Sequence, residues 1–342
     1  MNVNYNHPVI TVVISTWRRS KILSKIFLAL SKQTLPLDTF EIIVADSNSN
    51  DETESVVLKA QKDLALDIKF VHSTINSASA KRNLGISLAL GDFIVFLDDD
   101  CIPEQNHLQT FLSKAESRRG ERVAWCGGVN FDSELVRKSN YYRYRDSCHF
   151  SSSKKQSSTL NFRTVVTMNM LVERELLIAD QIRFDERFIG YGFEDLHFGI
   201  LLESKGYQLL TCDADIVHDE PHGDITKFRK KFFHAGRDGM PVFREVSPDS
   251  IAQLGQTAWL EPPQKEERAA RRALRAAIHL VLDSGVPRVV SVLLDYLDER
   301  SFFYSKAAYR FVLAGAYRDG VRARSSQRAM TAERANKDGW YS

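Results

Sequence analysis

The apolar positions of the first hundred residues change period repeatedly. Pro8–Ser15 (PVITVVIS) is a short β-branched run, the composition of a buried strand. Between Ser20 and Leu30 the apolar residues Ile22, Leu23, Ile26, Phe27 and Leu30 fall on one helical stripe. Phe40–Ala45 reads as a strand, Asp51–Leu64 as a helix that Asn50 or Asp51 caps, Leu66–Val71 as a strand, Ser77–Leu90 as a helix and Phe93–Leu97 as a strand. Strand and helix in alternation predict βαβ units and a mostly parallel sheet covered on both faces. Ligands of such sheets sit beyond the carboxyl ends of the strands.

Further on, a helix is expected from Pro103 to about Arg118 and a strand over Arg122–Val129. Asn130–Ser158 is aromatic and polar without a period, and predicts a long mobile loop. Thr164–Val172 is expected to be extended, Glu194–Lys205 helical, and Tyr207–Thr211 and Ile216–Val217 two short strands. Past Pro262-Pro263 the pattern becomes helical, over Arg268–Leu282, Val289–Leu297 and Phe302–Tyr317, and the last twenty residues are expected to fray.

Composition narrows the class. Of 342 residues 43% are hydrophobic and 26% charged, which excludes wholesale disorder. The formal net charge of +2 argues against a coat for nucleic acid. That average conceals an asymmetry: residues 264–342 hold 15 Lys and Arg against 9 Asp and Glu, so a mildly acidic body carries a basic tail. No apolar run reaches the ~18–20 residues that span a bilayer, and the N-terminus lacks a signal-peptide pattern. Cys101, Cys126, Cys148 and Cys212 are scattered, and read as free thiols of a cytoplasmic chain.

The chemistry concentrates at Asp98-Asp99-Asp100, directly after FIVFL. Three adjacent carboxylates at a strand end favour a neutralising cation, and hard Mg²⁺ or Mn²⁺ take oxygen ligands. A solvated acidic turn is the competing reading, which the position at the end of the fourth strand disfavours. A second acidic pair, Glu194-Asp195, follows Gly190-Tyr191-Gly192-Phe193 at a helix start, where the macrodipole favours anions; an ordinary acidic first turn would explain it as well.

The segments VVISTWRR, IIVADSNSNDET, SASAKRNLGI and GDFIVFLDDDCIP occur in that order, and FIGYGFEDLHFG follows near residue 190. Together they resemble family 2 glycosyltransferases of the GT-A fold. The resemblance implies a GT-A domain over residues 1–258, a Rossmann-like mostly parallel sheet with helices on both faces, followed by a helical, basic appendage over 259–342. It implies transfer of a sugar, with inversion, from a nucleotide sugar to a hydroxyl of a glycan, lipid-linked or protein acceptor, in bacterial surface polysaccharide or glycoconjugate synthesis. UDP-sugars lead and dTDP-rhamnose is next.

By the same resemblance Ser15, Thr16, Trp17, Arg18 and Asp46 hold the base, Arg82 lies near base and diphosphate, Asp98 faces the ribose side with Asp99 as the middle member of the donor-binding triplet, and Asp100 binds Mn²⁺ or Mg²⁺ together with Asp98. His218 completes the metal shell, with His222 the alternative. Asp195 is the base toward the acceptor and Glu194 holds it, as in the similar Gly-Trp-Gly-x-Glu-Asp segment of β-1,4-galactosyltransferases. Met168-Asn169-Met170 would line the donor sugar or pack in the core. Asp46 also reads as a plain turn former. His234–Gly239 would be a hinged loop closing over the diphosphate, with Lys230, Lys231 and Arg237 neutralising it. Two departures from the family pattern, Ser15-Thr16-Trp17-Arg18-Arg19 and Asp46-Ser47, bear on base selectivity.

Other classes remain open on residues alone. One is an inert carbohydrate- or nucleotide-binding scaffold on the same fold. A nucleotidyltransferase would need a Gly-rich triphosphate loop near the N-terminus, which the sequence lacks. For the basic tail the preferred reading is a helical appendage that packs on the catalytic domain or mediates a homodimer; the other is peripheral contact with the inner face of the cell membrane.

Overall fold

The computed structural model describes residues 7–154, 159–263, 267–324 and 330–339. Contacts divide the chain into two compact units that do not follow the expected 1–258 and 259–342 division. The first comprises Met1–Asp132, Cys148–Glu186 and Asp195–Glu220; the second comprises Ser133–Ser147, Arg187–Glu194 and Pro221–Ser342.

The first unit is built on one eight-stranded mixed sheet, ordered β3-β2-β1-β4-β7-β6-β8-β5. Its strands are β1 (Ile10–Thr16), β2 (Phe40–Asp46), β3 (Ile68–His72), β4 (Phe93–Asp98), β5 (Cys101–Pro103), β6 (Val123–Asn130), β7 (Asn169–Glu173) and β8 (Gln208–His218). Helices α1 (Ser20–Leu30), α2 (Thr53–Leu64) and α3 (Ala78–Leu88) make the parallel crossovers of β1 to β4. The alternation of side chains shows why both faces need covering. Val12, Ile14, Val44 and Val95 enter one core cluster, and Val13, Ile43, Ile94 and Phe96 the other. The stripe Leu23, Ile26, Phe27 and Leu30 of α1 is buried as its spacing requires. Helix α3 lies close on β1 because residue 85 is glycine: a Cβ there would stand 2.3 Å from Val13 Cγ1.

Register places the chemistry. Thr16 is paired with Asp46 across β1 and β2, and Ser15 with Asp98 across β1 and β4, so the carboxyl ends of three parallel strands form one edge. Strand β7 runs antiparallel to β4, and the amide of Asp98 donates to Met168 O at 3.1 Å. Strand β6 pairs with β7 antiparallel and with β8 parallel. Cys101, Cys126 and Cys212 are buried free thiols and Cys148 is an exposed one.

Several sequence expectations change. The loop anticipated over Asn130–Ser158 holds α5 (Ser133–Lys138), α6 (Asn140–Asp146) and a 3-10 turn at Ser152–Lys154; residues 155–158 lie outside the described residues. Helix α6 escapes a search for aliphatic stripes because its buried residues are Asn140, Tyr141, Tyr142, Tyr144 and Arg145. The two short strands after Tyr207 are one, β8, which continues through Asp215. That buried carboxylate accepts from Asn130 Nδ2 at 3.0 Å and Ser152 Oγ at 2.7 Å, so a satisfied polar residue interrupts the apolar pattern but not the strand. The extended segment after Thr164 begins as strand only at Asn169.

Besides α5 and α6, the second unit holds the helices α9 (Ile225–His234), α10 (Met240–Val246), α11 (Gln256–Leu260), α12 (Ala269–Asp283), α13 (Val286–Tyr296), α14 (Lys306–Ala323) and α15 (Ala332–Asp338). The last of these forms within the stretch expected to fray, whose residues 325–329 and 340–342 lie outside the described residues. Ala235–Gly239 is not a hinged loop but a buried π-helical turn continuing α9. Its glycines serve close approach: a Cβ on Gly236 would lie 2.3 Å from Tyr317 O. Glu261 ties this unit together, accepting from Tyr317 Oη at 2.5 Å, from Arg244 at 2.5 Å and from Arg324 at 3.1 Å. Burial pushes that carboxyl up, but the hydrogen bonds from Arg324 and Tyr317 outweigh it and hold it below the usual carboxylate range.

Helix α4 (His107–Glu116) carries a buried histidine into the sheet. Asn169 Nδ2 donates to Gly128 O at 3.0 Å and Ala214 O at 2.8 Å, so its Oδ1 is left to accept from His107 Nε2 at 2.8 Å. Nδ1 of His107 has no hydrogen-bond partner among the described residues. Burial holds the ring down to about 4 from its ordinary 6.5, although the bond to Asn169 works in the opposite sense. The unfolded chain therefore binds the extra proton between these pH values. Stability that is complete above pH 6.5 is lost as the pH falls toward 4, by about 3 kcal/mol at most. Melting temperature followed over that range is expected to fall more steeply in the wild type than in His107→Gln, which keeps a donor for Asn169. Parallel curves would contradict this.

Candidate active site

The acidic triplet ends β4 inside the first unit, and its charge is met by the chain's own cations. Asp98 Oδ1 accepts from Arg82 Nη2 at 2.7 Å. Asp99 accepts from Thr16 Oγ1 at 2.8 Å and lies 3.4 Å from Arg19 Nη1, which donates to Asp100 Oδ2 at 2.6 Å. Burial raises the Asp98 carboxyl despite Arg82, and raises that of Asp99 despite Arg19. The cluster thus stores carboxylates in an environment that disfavours their charge.

Arg82 does more than neutralise Asp98. Its other terminal nitrogen stands 3.3 Å from Asp195 Oδ1, so one 4%-exposed guanidinium joins the end of β4 to the start of α8 (Glu194–Ser204). Thr167 Oγ1 also donates to Asp195 Oδ1. Lys81 is buried too. Its Nζ donates to Thr16 O and Asn76 Oδ1, each at 2.9 Å, which pins the end of β1; burial lowers its ammonium to about 8. Arg19, Thr167 and Lys81 are neighbours of the candidate site residues to which the sequence assigns no role. Arg19 had a signal in the STWRR segment, whereas Thr167 had none.

At the edge expected to hold the base, Trp17 Nε1 is buried and has no hydrogen-bond partner among the described residues. Arg18, with φ +54°, stacks its guanidinium 4.3 Å from the Trp17 ring centroid. Asp46 is 1% exposed, and its two oxygens accept from Ser49 Oγ at 2.5 Å and Ser49 N at 2.7 Å. As it stands, that carboxylate shapes the turn after β2. Met170 is fully buried in the core and Asn169 belongs to the His107 lattice, so these two do not line an open donor site.

His218 ends β8 with Nε2 3.5 Å from Asp100 Oδ1, while His222 is exposed and belongs to the second unit. Oxygen donors from Asp98 and Asp100 with an imidazole suit a hard divalent cation in kind. Among the described residues no three such side chains converge on one ion position as they stand. Guanidinium groups hold the carboxylates instead. Arg237, expected to face a diphosphate, is 4% exposed in the second unit and bound to Asp238 at 2.8 Å, so it is committed to that core. Lys231 Nζ lies 5.9 Å from the Tyr191 ring centroid.

Glu194 and Asp195 occupy the first turn of α8. The unit boundary passes between them. The preceding backbone is left-handed at two successive residues, Gly192 (φ +99°) and Phe193 (φ +76°). A bulky residue there is costly, and such conformations persist only where packing over-determines them. Phe193 is held against Phe243 at 5.3 Å between ring centroids, and Gly239 approaches Gly192 O so closely that a Cβ would lie 2.3 Å away.

A mixed sheet with this edge, crossed by an acidic strand end, is the GT-A glycosyltransferase architecture. The structure resembles that of the mannosyltransferase PcManGT from Pyrobaculum calidifontis in complex with GDP-Man and Mn²⁺, with a TM-score of 0.58 and 18% identity over 93% of this chain and 87% of that one. Among curated relatives, Glycosyltransferase AglE of Haloferax volcanii is 25% identical over 239 residues, covering 69% of this chain and 74% of that protein. The GalNAc(5)-diNAcBac-PP-undecaprenol beta-1,3-glucosyltransferase of Campylobacter jejuni is 34% identical over 171 residues, and the chain spans about half of its length, 54%. The sequence profile of Glycosyl transferase family 2 matches residues 11–179, and the chain is a glycosyltransferase of that family.

At Gly192 an alanine would face both the positive φ and Ala235 Cβ at 2.9 Å. Gly192→Ala is expected to cost about 1–3 kcal/mol and to lower the melting temperature of the protein. An unchanged melt would show that the left-handed turn is not required.

Proposed function

We propose that the protein is an inverting, metal-dependent glycosyltransferase that uses a nucleotide-sugar donor, UDP-linked by preference, and a glycan or lipid-linked hydroxyl acceptor. The observation that carries this is Arg82, whose guanidinium spans Asp98 at 2.7 Å and Asp195 at 3.3 Å and so sets the donor-side and acceptor-side carboxylates one side chain apart. The name of the Campylobacter relative, a glucosyltransferase acting on a PP-undecaprenol-linked glycan, supports the lipid-linked acceptor.

In this reading Asp195, oriented by Thr167 and Arg82, takes the proton of the acceptor hydroxyl. The acceptor oxygen attacks the anomeric carbon from the face opposite the diphosphate. A new carbon–oxygen bond forms as the bond to the diphosphate breaks, its electron pair leaving with the nucleoside diphosphate, and the configuration inverts. Asp98, Asp100 and His218 are the residues that would hold Mn²⁺ or Mg²⁺; such an ion supplies Lewis-acid neutralisation of the departing diphosphate. Trp17 Nε1, Thr16 and Arg18 border the base and ribose, and Glu194 holds the acceptor. The departing phosphates compete with Asp98 and Asp100 for Arg82 and Arg19, so those guanidiniums move from intramolecular partners to ligand.

The test is a panel of nucleotide sugars with Mn²⁺ and lipid-linked or glycan acceptors, read as released nucleoside diphosphate. Asp195→Asn and Asp100→Ala are each expected to lower turnover by about 10²–10⁴-fold with the fold intact. Full activity in Asp195→Asn would remove the base from its role, and full activity in Asp100→Ala would remove the metal site. Nucleotide binding without turnover for any donor and acceptor would favour an inert scaffold.

A further inference from the structure

Helices α12 and α13 carry apolar residues on their outer side as well as their inner one. The residues α12 buries are Arg275 and Leu282, and those of α13 are Pro287, Ser291 and Leu294. Arg275 is fixed inward, donating to Ala258 O at 2.5 Å, Glu261 O at 3.1 Å and Glu267 at 2.6 Å. Meanwhile Leu274, Leu280 and Val281 of α12 face solvent, Leu280 at 74% exposure. In α13 the stripe Val286, Val289, Val292, Leu293 and Tyr296 follows helical spacing on the outer side, with Val289 and Val292 each 71% exposed. Phe302, just beyond, is 92% exposed. A soluble helix places such a stripe inward; a surface this apolar marks a binding face.

The chemistry beside the stripe says what covers it. Arg268, Arg271 and Arg272 are exposed where α12 begins, and Arg288 and Arg300 are exposed along and after α13. Arg300 stacks 5.1 Å from the Tyr296 ring centroid. An apolar stripe with flanking arginines and exposed aromatic rings is the composition of a helix lying in a headgroup layer. An isologous contact with a second copy would set like charges near one another at the same rim.

Length and shape fix the mode. Among the described residues no single helix is long and apolar enough to cross a membrane, and only α12 with α13, bent by 52° at their junction, pass that criterion together. The junction residue Gly285 takes φ +84°. We propose that α12 and α13 form a docking face for an anionic lipid bilayer, lying in its interface without spanning it. This inference does not depend on the donor, the metal or the base.

The test sediments the full-length protein with phosphatidylcholine vesicles that contain or lack phosphatidylglycerol. Binding is expected on the anionic vesicles, weakening as salt is raised. The double variant Val289→Asp/Val292→Asp should bind about tenfold or more weakly, and Arg271→Gln/Arg272→Gln should lose the preference for phosphatidylglycerol. Phe302→Ser, outside both helices, gives an independent reading should the aspartate variant melt early, and is expected to weaken binding as well. Absence of wild-type binding, or binding undiminished in Val289→Asp/Val292→Asp and Phe302→Ser, would overturn the proposal. A wild-type dimer by light scattering that Val289→Asp/Val292→Asp dissolves, with no vesicle binding, would overturn it in favour of a second copy.

Discussion

Charge neutralisation at the end of β4 is the constraint on which the first unit depends. Asp98, Asp99 and Asp100 follow one another on a strand end whose surroundings disfavour ionised carboxylates, and Asp195 stands within reach of the same arginine. Burying like charges together is tolerable only with counter-charge at hydrogen-bond distance. Arg82 and Arg19 provide it from helix α3 and from the segment after β1. These arginines also order the site, because each links segments far apart in the chain. The positions that bind a diphosphate and a cation in the proposed reaction are the positions these guanidiniums hold together without ligand.

The parallel half of the sheet was legible in the sequence because its strands are β-branched runs between amphipathic helices, and the motifs of the family fall on their ends. The acidic triplet was legible for the same reason. What stayed hidden depends on partners distant in sequence. Nothing about Thr167 in isolation shows that it donates to Asp195, and Arg19 is one of two adjacent arginines until the fold turns it toward Asp100. Asp46 carries two readings at once. Motif position suggests a nucleotide contact, whereas Ser49, three residues on, takes both carboxylate oxygens. Strand β8 was split by Asp215, whose partners Asn130 and Ser152 lie far away in sequence.

The second unit shows the limit of periodicity more sharply. The amphipathic character of α12 and α13 can be read directly, but a stripe does not state which side faces inward. Here Arg275 and Ser291 are buried beside Leu282 and Leu294, while Leu280, Val289 and Val292 are exposed. Glycines misled in a similar way. In the His234–Gly239 segment they suggested a hinge, yet Gly236 and Gly239 permit close packing against Tyr317 O and Gly192 O in a buried turn. The same compression supports the left-handed Gly192-Phe193 backbone that leads into α8. Strain at the entry of that helix is thus stabilised by packing within the second unit.

In the proposed reaction the β4 carboxylates bind a nucleoside diphosphate only with a divalent cation, and Arg19 holds the place of positive charge on Asp100 until then. Calorimetric titration of UDP into the wild type, Asp100→Ala and Arg19→Gln, with and without Mn²⁺, addresses it most directly. Binding is expected in the wild type with Mn²⁺ and lost without it or in Asp100→Ala, and Mn²⁺ alone is expected to bind Arg19→Gln more tightly than the wild type. UDP binding that is equal with and without Mn²⁺, or unaffected by Asp100→Ala, would contradict the account.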